Sequence, residues 1–349
     1  MGFFLNKMKL RKIFFLLSST TLIAFASCGN GGEKTTADSL QGKDSISTLS
    51  ELIRKDPGNL ELYMKRAKLY MNTKDYSASL ADMNRILAID SSKAEYLIAA
   101  ADINFFTGKV TRTKQLLERA VAVNPDNIDC LLRLAQLHHY MKNYEEEIKL
   151  LDQALHKDIH CAQAYFMKGM LFKDKGDTIR AISSMQTAVE QDPDYYNAYI
   201  QLGLICAAQR NPLTESYYLN ALKINPNSEE ALYNLAMYYQ ETDNYNGAIE
   251  TYTALLKVNP HNFDAHFNLG MLHAVKLGVV DEGMKYFSSA IEDNPKEPRG
   301  YYGRGWCFQK KGDLANAEVD YKMALTVDPN YTKAATALEE LERLKAGGK

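Results

Sequence analysis

The sequence predicts an all-α protein, a stack of paired helices, and three observations carry that prediction. A helix-closing proline, or the position equivalent to it, recurs at Pro57, Ser91, Pro125, Ile159, Pro193, Pro226, Pro260, Pro295 and Pro329, spaced 33 to 35 residues apart. The eighth residue of each resulting repeat is always small: Ala67, Ala101, Ala135, Gly169, Gly203, Ala236, Gly270 and Gly305. Late in each repeat a large residue, Met83, Leu117, Leu151, Met185, Tyr218, Tyr252, Phe287 or Tyr321, precedes an aliphatic one by four places. Large beside small at fixed places is what interdigitated helices require.

The stretch 229 to 262 shows the unit most plainly. Leu232, Leu235, Ala236 and Tyr239 recur at helical spacing, Asp243 and Asn244 supply turn chemistry, and Ala248, Tyr252, Leu255 and Leu256 form a second apolar stripe. Val258-Asn259-Pro260 closes the unit, because proline cannot continue a helix and restricts the residue before it. One such hairpin cannot bury both faces alone, so the stable object is the stack. Eight repeats follow: 60 to 93, 94 to 127, 128 to 161, 162 to 195, 196 to 228, 229 to 262, 263 to 297 and 298 to 331.

The period, the small eighth residue, the turns Gly176-Asp177, Gly312-Asp313 and Asn244-Tyr245, and the closing proline resemble the tetratricopeptide repeat over residues 60 to 331. The resemblance implies a right-handed α-solenoid of eight hairpins. The chain departs from the pattern at Ser91 and Ile159 in place of proline, at Glu147 where a small residue is usual, and at Arg210-Asn211-Pro212, a turn one residue short.

The start of the chain does not belong to the stack. Lys7, Lys9, Arg11 and Lys12 precede an apolar run from Ile13 to Ala26, too short to span a bilayer. Residues 1–27 therefore read as a signal peptide. Its end, Phe25-Ala26-Ser27-Cys28, resembles a bacterial lipobox of the kind found in Bacteroidota lipoproteins, which implies acylation of Cys28. Gly29 is not an inner-membrane retention aspartate, so the resemblance favours the outer membrane. Glu33 is the one acidic residue close behind Cys28, which favours the periplasmic side over the cell surface. Residues 28–44 are poor in apolar side chains and read as a flexible tether. Ile46, Leu49, Leu52 and Ile53 predict a capping helix over 45–59. At the other end, Ala334, Leu338, Leu341 and Leu344 line one face of a helix over 332–349 whose other face carries Lys333, Glu339, Glu340 and Arg343, a solvating cap.

The 349 residues carry a net charge of −2, and removing 1–27 takes away four positive charges and no negative one, leaving −6. Such a chain has no electrostatic footprint for nucleic acid. Cys130, Cys161, Cys206 and Cys307 sit in or beside stacked helices too far apart for a disulfide, and read as buried free thiols. His156, His160 and Cys161 have no second ligand pair, and His138, His266 and His273 read as packed rings, so no metal is expected. No catalytic triad, carboxylate pair or phosphate-binding glycine loop stands out, and neither an enzyme nor a cofactor is predicted.

In the resembled family the groove is lined by first-helix residues. The ninth places here run Lys68, Asp102, Gln136, Met170, Leu204, Met237, Met271 and Trp306, turning from polar to apolar midway. The fifth places agree, with Phe166, Ile200, Tyr233, Phe267 and Tyr302 in the later repeats. Asn234 and Asn268 at sixth places suit an extended peptide backbone. Methionine adapts to irregular partners and aromatics anchor them. These residue types equally suit packing against the next repeat. The expectation is an envelope adaptor holding a protein partner in this groove, with a glycan- or small-ligand-binding protein as the alternative, since Tyr302 and Trp306 also suit sugar faces.

Overall fold

A computed structural model describes the backbone of residues 36–347 and the side chains of 45–345. The expected signal peptide, Cys28 and the first part of the expected tether lie outside the described residues. All regular structure among the described residues is helical. Helix α1 (Thr36–Lys55) is followed by the hairpins α2–α3 (Leu60–Asn72, Tyr76–Ile89), α4–α5 (Ala94–Phe106, Val110–Val123), α6–α7 (Ile128–Tyr140, Tyr144–Lys157) and α8–α9 (Ala162–Asp174, Thr178–Gln191). Next come α10–α11 (Tyr196–Ala208, Thr214–Ile224), α12–α13 (Glu229–Glu241, Tyr245–Val258), α14–α15 (Phe263–Met271, Val280–Asp293) and α16–α17 (Pro298–Lys310, Leu314–Val327), then α18 (Thr332–Gly347). The sequence period runs unbroken, yet packing divides the chain into two compact units that meet at Asp192 and Pro193. Each is a solenoid of four hairpins with its own core and one terminal helix.

The small eighth residue meets the large residue of its own hairpin. A Cβ at Gly203 would lie 2.4 Å from the Tyr218 ring, one at Gly169 2.5 Å from Met185, one at Gly270 2.7 Å from Phe287, and one at Gly305 2.9 Å from Tyr321. These four large side chains are at most 1% exposed. Burying a side chain of this size contributes roughly 1.5 to 3 kcal/mol, and the stack repeats the contact.

The turn between the helices of each hairpin is equally regular. The fifteenth residue takes a left-handed conformation at Lys74 (φ 61°), Gly108 (73°), Lys142 (56°), Gly176 (77°), Arg210 (54°), Asp243 (59°) and Gly312 (81°). The next N–H then reaches back to an orphan helix carbonyl, as from Asp177 to Phe172 at 2.8 Å. The side chains of Asp75, Asp177, Asn244 and Asp313 cap the helices that follow, Asp177 accepting from the Arg180 N–H and Asn244 from the Gly247 N–H.

Two repeats differ in length, and both differences fall at this turn. Repeat seven has one residue more, held as a π-helical turn, Leu272–Lys276, that extends α14. The Leu277 N–H reaches Leu272 O at 2.9 Å, and the left-handed residue becomes Gly278, one place later. Repeat five has one residue fewer, and α11 is cut to 11 residues against 14 in the other second helices.

Glu147 occupies the twentieth place, where the other repeats carry Ser79, Thr113, Ala181, Ala248 and Ala317, and Thr214 and Gly283 once the turn lengths of repeats five and seven are allowed for. It is fully buried. Both its oxygens lie 3.1 Å from His139 Nδ1, and His139 Nε2 lies 3.4 Å from Asp174 on α8. Each ring nitrogen thus faces an acceptor, an arrangement that only the doubly protonated imidazolium satisfies at both sides. The Glu147 hydrogen bond raises the His139 pKa, while burial raises that of Glu147 against the opposing effect of His139.

Several expectations need correction. Residues 36–44, assigned to a tether, are helical: Ala37, Leu40 and Gln41 are competent helix formers, and extending a helix that is already nucleated is cheap. Leu52 is 41% exposed, with Ile53 the buried residue among the described side chains of α1, and Leu344 is 55% exposed because α18 packs through Ala334, Ala337 and Leu341. The four later cysteines are free, but Cys161 is only half-buried.

Three outcomes follow from this packing. Gly203→Val places a branched side chain inside the van der Waals radius of Tyr218 and is expected to destabilise the second unit by about 3 kcal/mol in urea unfolding, with relief when combined with Tyr218→Leu. Lys142→Gly removes left-handed strain and should raise the melting temperature, whereas Gly176→Ala should lower stability by roughly 1 kcal/mol. His139 and Glu147 both bind protons more tightly when folded. Their stabilisation is therefore present at low pH. For Glu147 it is lost from the carboxylate range upward and for His139 from the ordinary histidine range upward, so thermal stability of the first unit should fall as pH is raised through neutrality, and Glu147→Ala should flatten the fall.

Candidate functional site

The first helices of each unit present the surface on which the predicted groove residues lie. Phe166 and Met170 are half-buried on α8 of the first unit. The other ten belong to the second unit. There Ile200 is 2% exposed and packs with Tyr218 and Leu235, which corrects its assignment to the groove: it is a contact between hairpins. Leu204, Tyr233, Asn234, Met237, Phe267, Asn268, Met271, Tyr302 and Trp306 are all half-buried, each with part of its surface accessible.

Their contacts form a chain along the first helices. Tyr233 on α12 meets the buried Tyr252 edge-on, 6.2 Å between centroids. Asn268 on α14 donates to the Tyr252 hydroxyl at 2.9 Å, and its Nδ2 lies 3.8 Å from the Met237 sulfur. Phe267 stacks on Phe263 at 6.0 Å and meets Phe287 at 5.7 Å. The Arg299 guanidinium of α16 covers Phe263 and Phe267 at 4.8 and 5.1 Å, and bonds Asp264 at 3.0 Å and Glu297 at 2.7 Å. Met271 and Trp306 join Phe267 around the buried Phe287 and Cys307. Lys310 sits 5.2 Å from the Trp306 ring. Tyr302 has neighbours at two sides, Tyr321 at 5.9 Å and Tyr331 at 5.7 Å. Burial pushes the Tyr233 hydroxyl pKa up, with Asp264 adding to the rise and Asn268 opposing it, so the phenol stays a neutral donor.

The inner surface of the first unit has different chemistry. Arg133 on α6 bonds Asp102 on α4 at 3.1 Å and Asp129 at 3.0 Å. Burial pushes Asp102 up to about 6 against the pull of Arg133, with Asp129 adding to the rise. Lys68 lies 4.0 Å from Glu95. The polar ninth places read from the sequence are thus partly engaged in ion pairs between successive hairpins, while those of the second unit carry methionine and aromatic surface.

Second places were missed in the sequence reading. Glu230, Asp264 and Arg299 stand there in repeats six to eight, and Glu241 stands at a thirteenth place. Their spacing was available as a signal, but which of them are paired depends on the neighbouring hairpin. The histidine reading also changes in detail: His266 Nδ1 lies 2.6 Å from Asp293, and His273 stacks on Tyr286 at 5.3 Å. His156 bonds its own helix at Asp152 O and His160 bonds Gln191, so the i, i+4 pair is directed elsewhere.

Profiles of the tetratricopeptide repeat family match residues 60–93, 162–195 and 298–331, the registers of repeats one, four and eight, and residues 217–250, which begin within α11. Tetratricopeptide repeat protein 16 of Mus musculus is 21% identical over 320 residues, covering 82% of this chain and 41% of its own length. Hsp70-Hsp90 organizing protein 3 of Arabidopsis thaliana is 24% identical over 336 residues, covering 86% of this chain and 54% of its own. The chain therefore spans about half the length of such relatives or less. Among solved structures, the C-terminal part of a TPR repeat-containing protein from Cytophaga hutchinsonii superposes with a TM-score of 0.60 at 18% identity, over 68% of this chain and 98% of that one. That likeness is one of fold.

Proposed function

Because the chain is a tetratricopeptide-repeat protein, we propose that it acts as an adaptor, held to the outer membrane of a bacterial envelope through acylated Cys28, facing the periplasm, and gripping a protein partner on the inner surface of its second unit. Proteins of this repeat family generally mediate protein–protein interaction. The observation that carries the reading is the accessible methionine and aromatic surface, Tyr233, Met237, Phe267, Met271 and Trp306, supported from behind by the buried Tyr252 and Phe287. Rigid backing with accessible thioethers and rings suits an apolar peptide or helix. The glycan reading has weaker support, because Tyr302, one of its two platforms, meets Tyr321 and Tyr331 at two sides.

Photo-cross-linkers placed in intact cells at Met237 and Met271 should capture the same partner, and one at the outward-facing Val319 should not. Met237→Arg/Met271→Arg should lower partner recovery by about tenfold. Equal recovery would remove the inner surface from the account. Cys28→Ser should release the protein from the membrane fraction, and continued membrane association would exclude the lipid anchor.

A further inference from the structure

We propose that the inner face of α12 takes a cationic peptide, an extended segment with two Lys or Arg side chains about five residues apart around an apolar centre. This rests on the inner surface being the docking face and names the chemistry of what docks there.

Glu230, Asn234, Met237 and Glu241 follow one another at i, i+4, i+7 and i+11 on α12, which places all four on one stripe of the helix. The two carboxylates bracket the stripe, about 16 Å apart at 1.5 Å per residue. Both are exposed. Among the described residues neither has a cation within ion-pair distance, whereas Asp264 is paired with Arg299 and Asp320 with Arg304 in the repeats that follow. Repeat six thus presents the second unit's uncompensated first-helix acids.

The surroundings point the same way. Burial raises the pKa of Glu230, and of Glu241 against the pull of Arg210, although both side chains are accessible. Protein around a carboxylate lowers the local dielectric, so a charge-assisted bond to an incoming cation is stronger there than on an open surface. The centre of the stripe is also available. Asn268 of repeat seven is tied to Tyr252, but among the described residues the side chain of its counterpart Asn234 makes no hydrogen bond, leaving its amide for a peptide backbone. Beside the stripe, Gln240 buries its Oε1 without a donor. Met237 supplies an adaptable apolar seat between the charges. An extended peptide advances about 3.3 Å per residue, so 16 Å corresponds to roughly five residues.

The test is fluorescence anisotropy of the full chain with three labelled hexapeptides: Arg-Ala-Leu-Met-Ala-Arg, the same peptide with Glu at both ends, and one with the two Arg adjacent. The first should bind about tenfold more tightly than the second and detectably more tightly than the third, with an affinity that falls as salt is raised. Glu230→Gln/Glu241→Gln should remove most of that preference, with circular dichroism unchanged. A glutamate peptide that binds as well as the arginine peptide, a preference that survives the double substitution, or no binding of the arginine peptide would each overturn the proposal. Binding that ignores charge but weakens with Met237→Ala would leave the docking face standing. Partner capture insensitive to Met237 and Met271 would remove the face itself.

Discussion

The architecture depends on one contact made again in every hairpin: a residue with little or no side chain on the first helix receives a large ring, thioether or leucine side chain from the second. At Gly203 and Gly270 there is no room for even a methyl group beside Tyr218 and Phe287. This fixes how near the two helices approach, and so fixes which first-helix places are left facing away from the core. The inner surface is a by-product of that spacing. Its composition can vary between repeats because the contact behind it does not, which is why the first unit can carry Arg133 between two aspartates while the second carries Met237, Met271 and Trp306 on the same frame.

Much of this was legible before any coordinates. Periodic small and large residues encode a short-range contact, and such contacts lie within one repeat, so the sequence displays both partners at fixed separation. What could not be read lies between repeats or at the ends. Ile200 has the same pattern position as Tyr233, yet one is buried and the other half-exposed, a difference set by the adjoining hairpin. The anomaly of Glu147 was visible, but its partner His139 is eight residues away on another helix, and the third member, Asp174, is on the next hairpin. Leu344 fits the apolar stripe of α18 but is exposed, because the helix packs on the last hairpin through Ala334, Ala337 and Leu341. The division at Asp192 and Pro193 leaves no mark on the period at all.

The two units also differ in how electrostatics is used. In the first, ionic groups are internal ties between hairpins, with His139 serving two carboxylates and Arg133 two others. Partial burial makes such ties expensive to form and more costly to half-break, which favours definite arrangements over loose ones. In the second, Arg299 and Arg304 neutralise their neighbours, and the acids of α12 are left over.

The π-helical turn at Leu272–Lys276 carries a lesson about length. One surplus residue is stored within a single widened helical loop, and α15 still begins after a short turn and still buries Phe287. The hairpin bend is thus a place where the polypeptide tolerates growth while the interior keeps its alignment. Segments such as Leu277-Gly278-Val279, where Leu277 and Val279 are exposed, are natural ports for grafting an epitope, a fluorophore or an entire guest domain without disturbing the scaffold beneath.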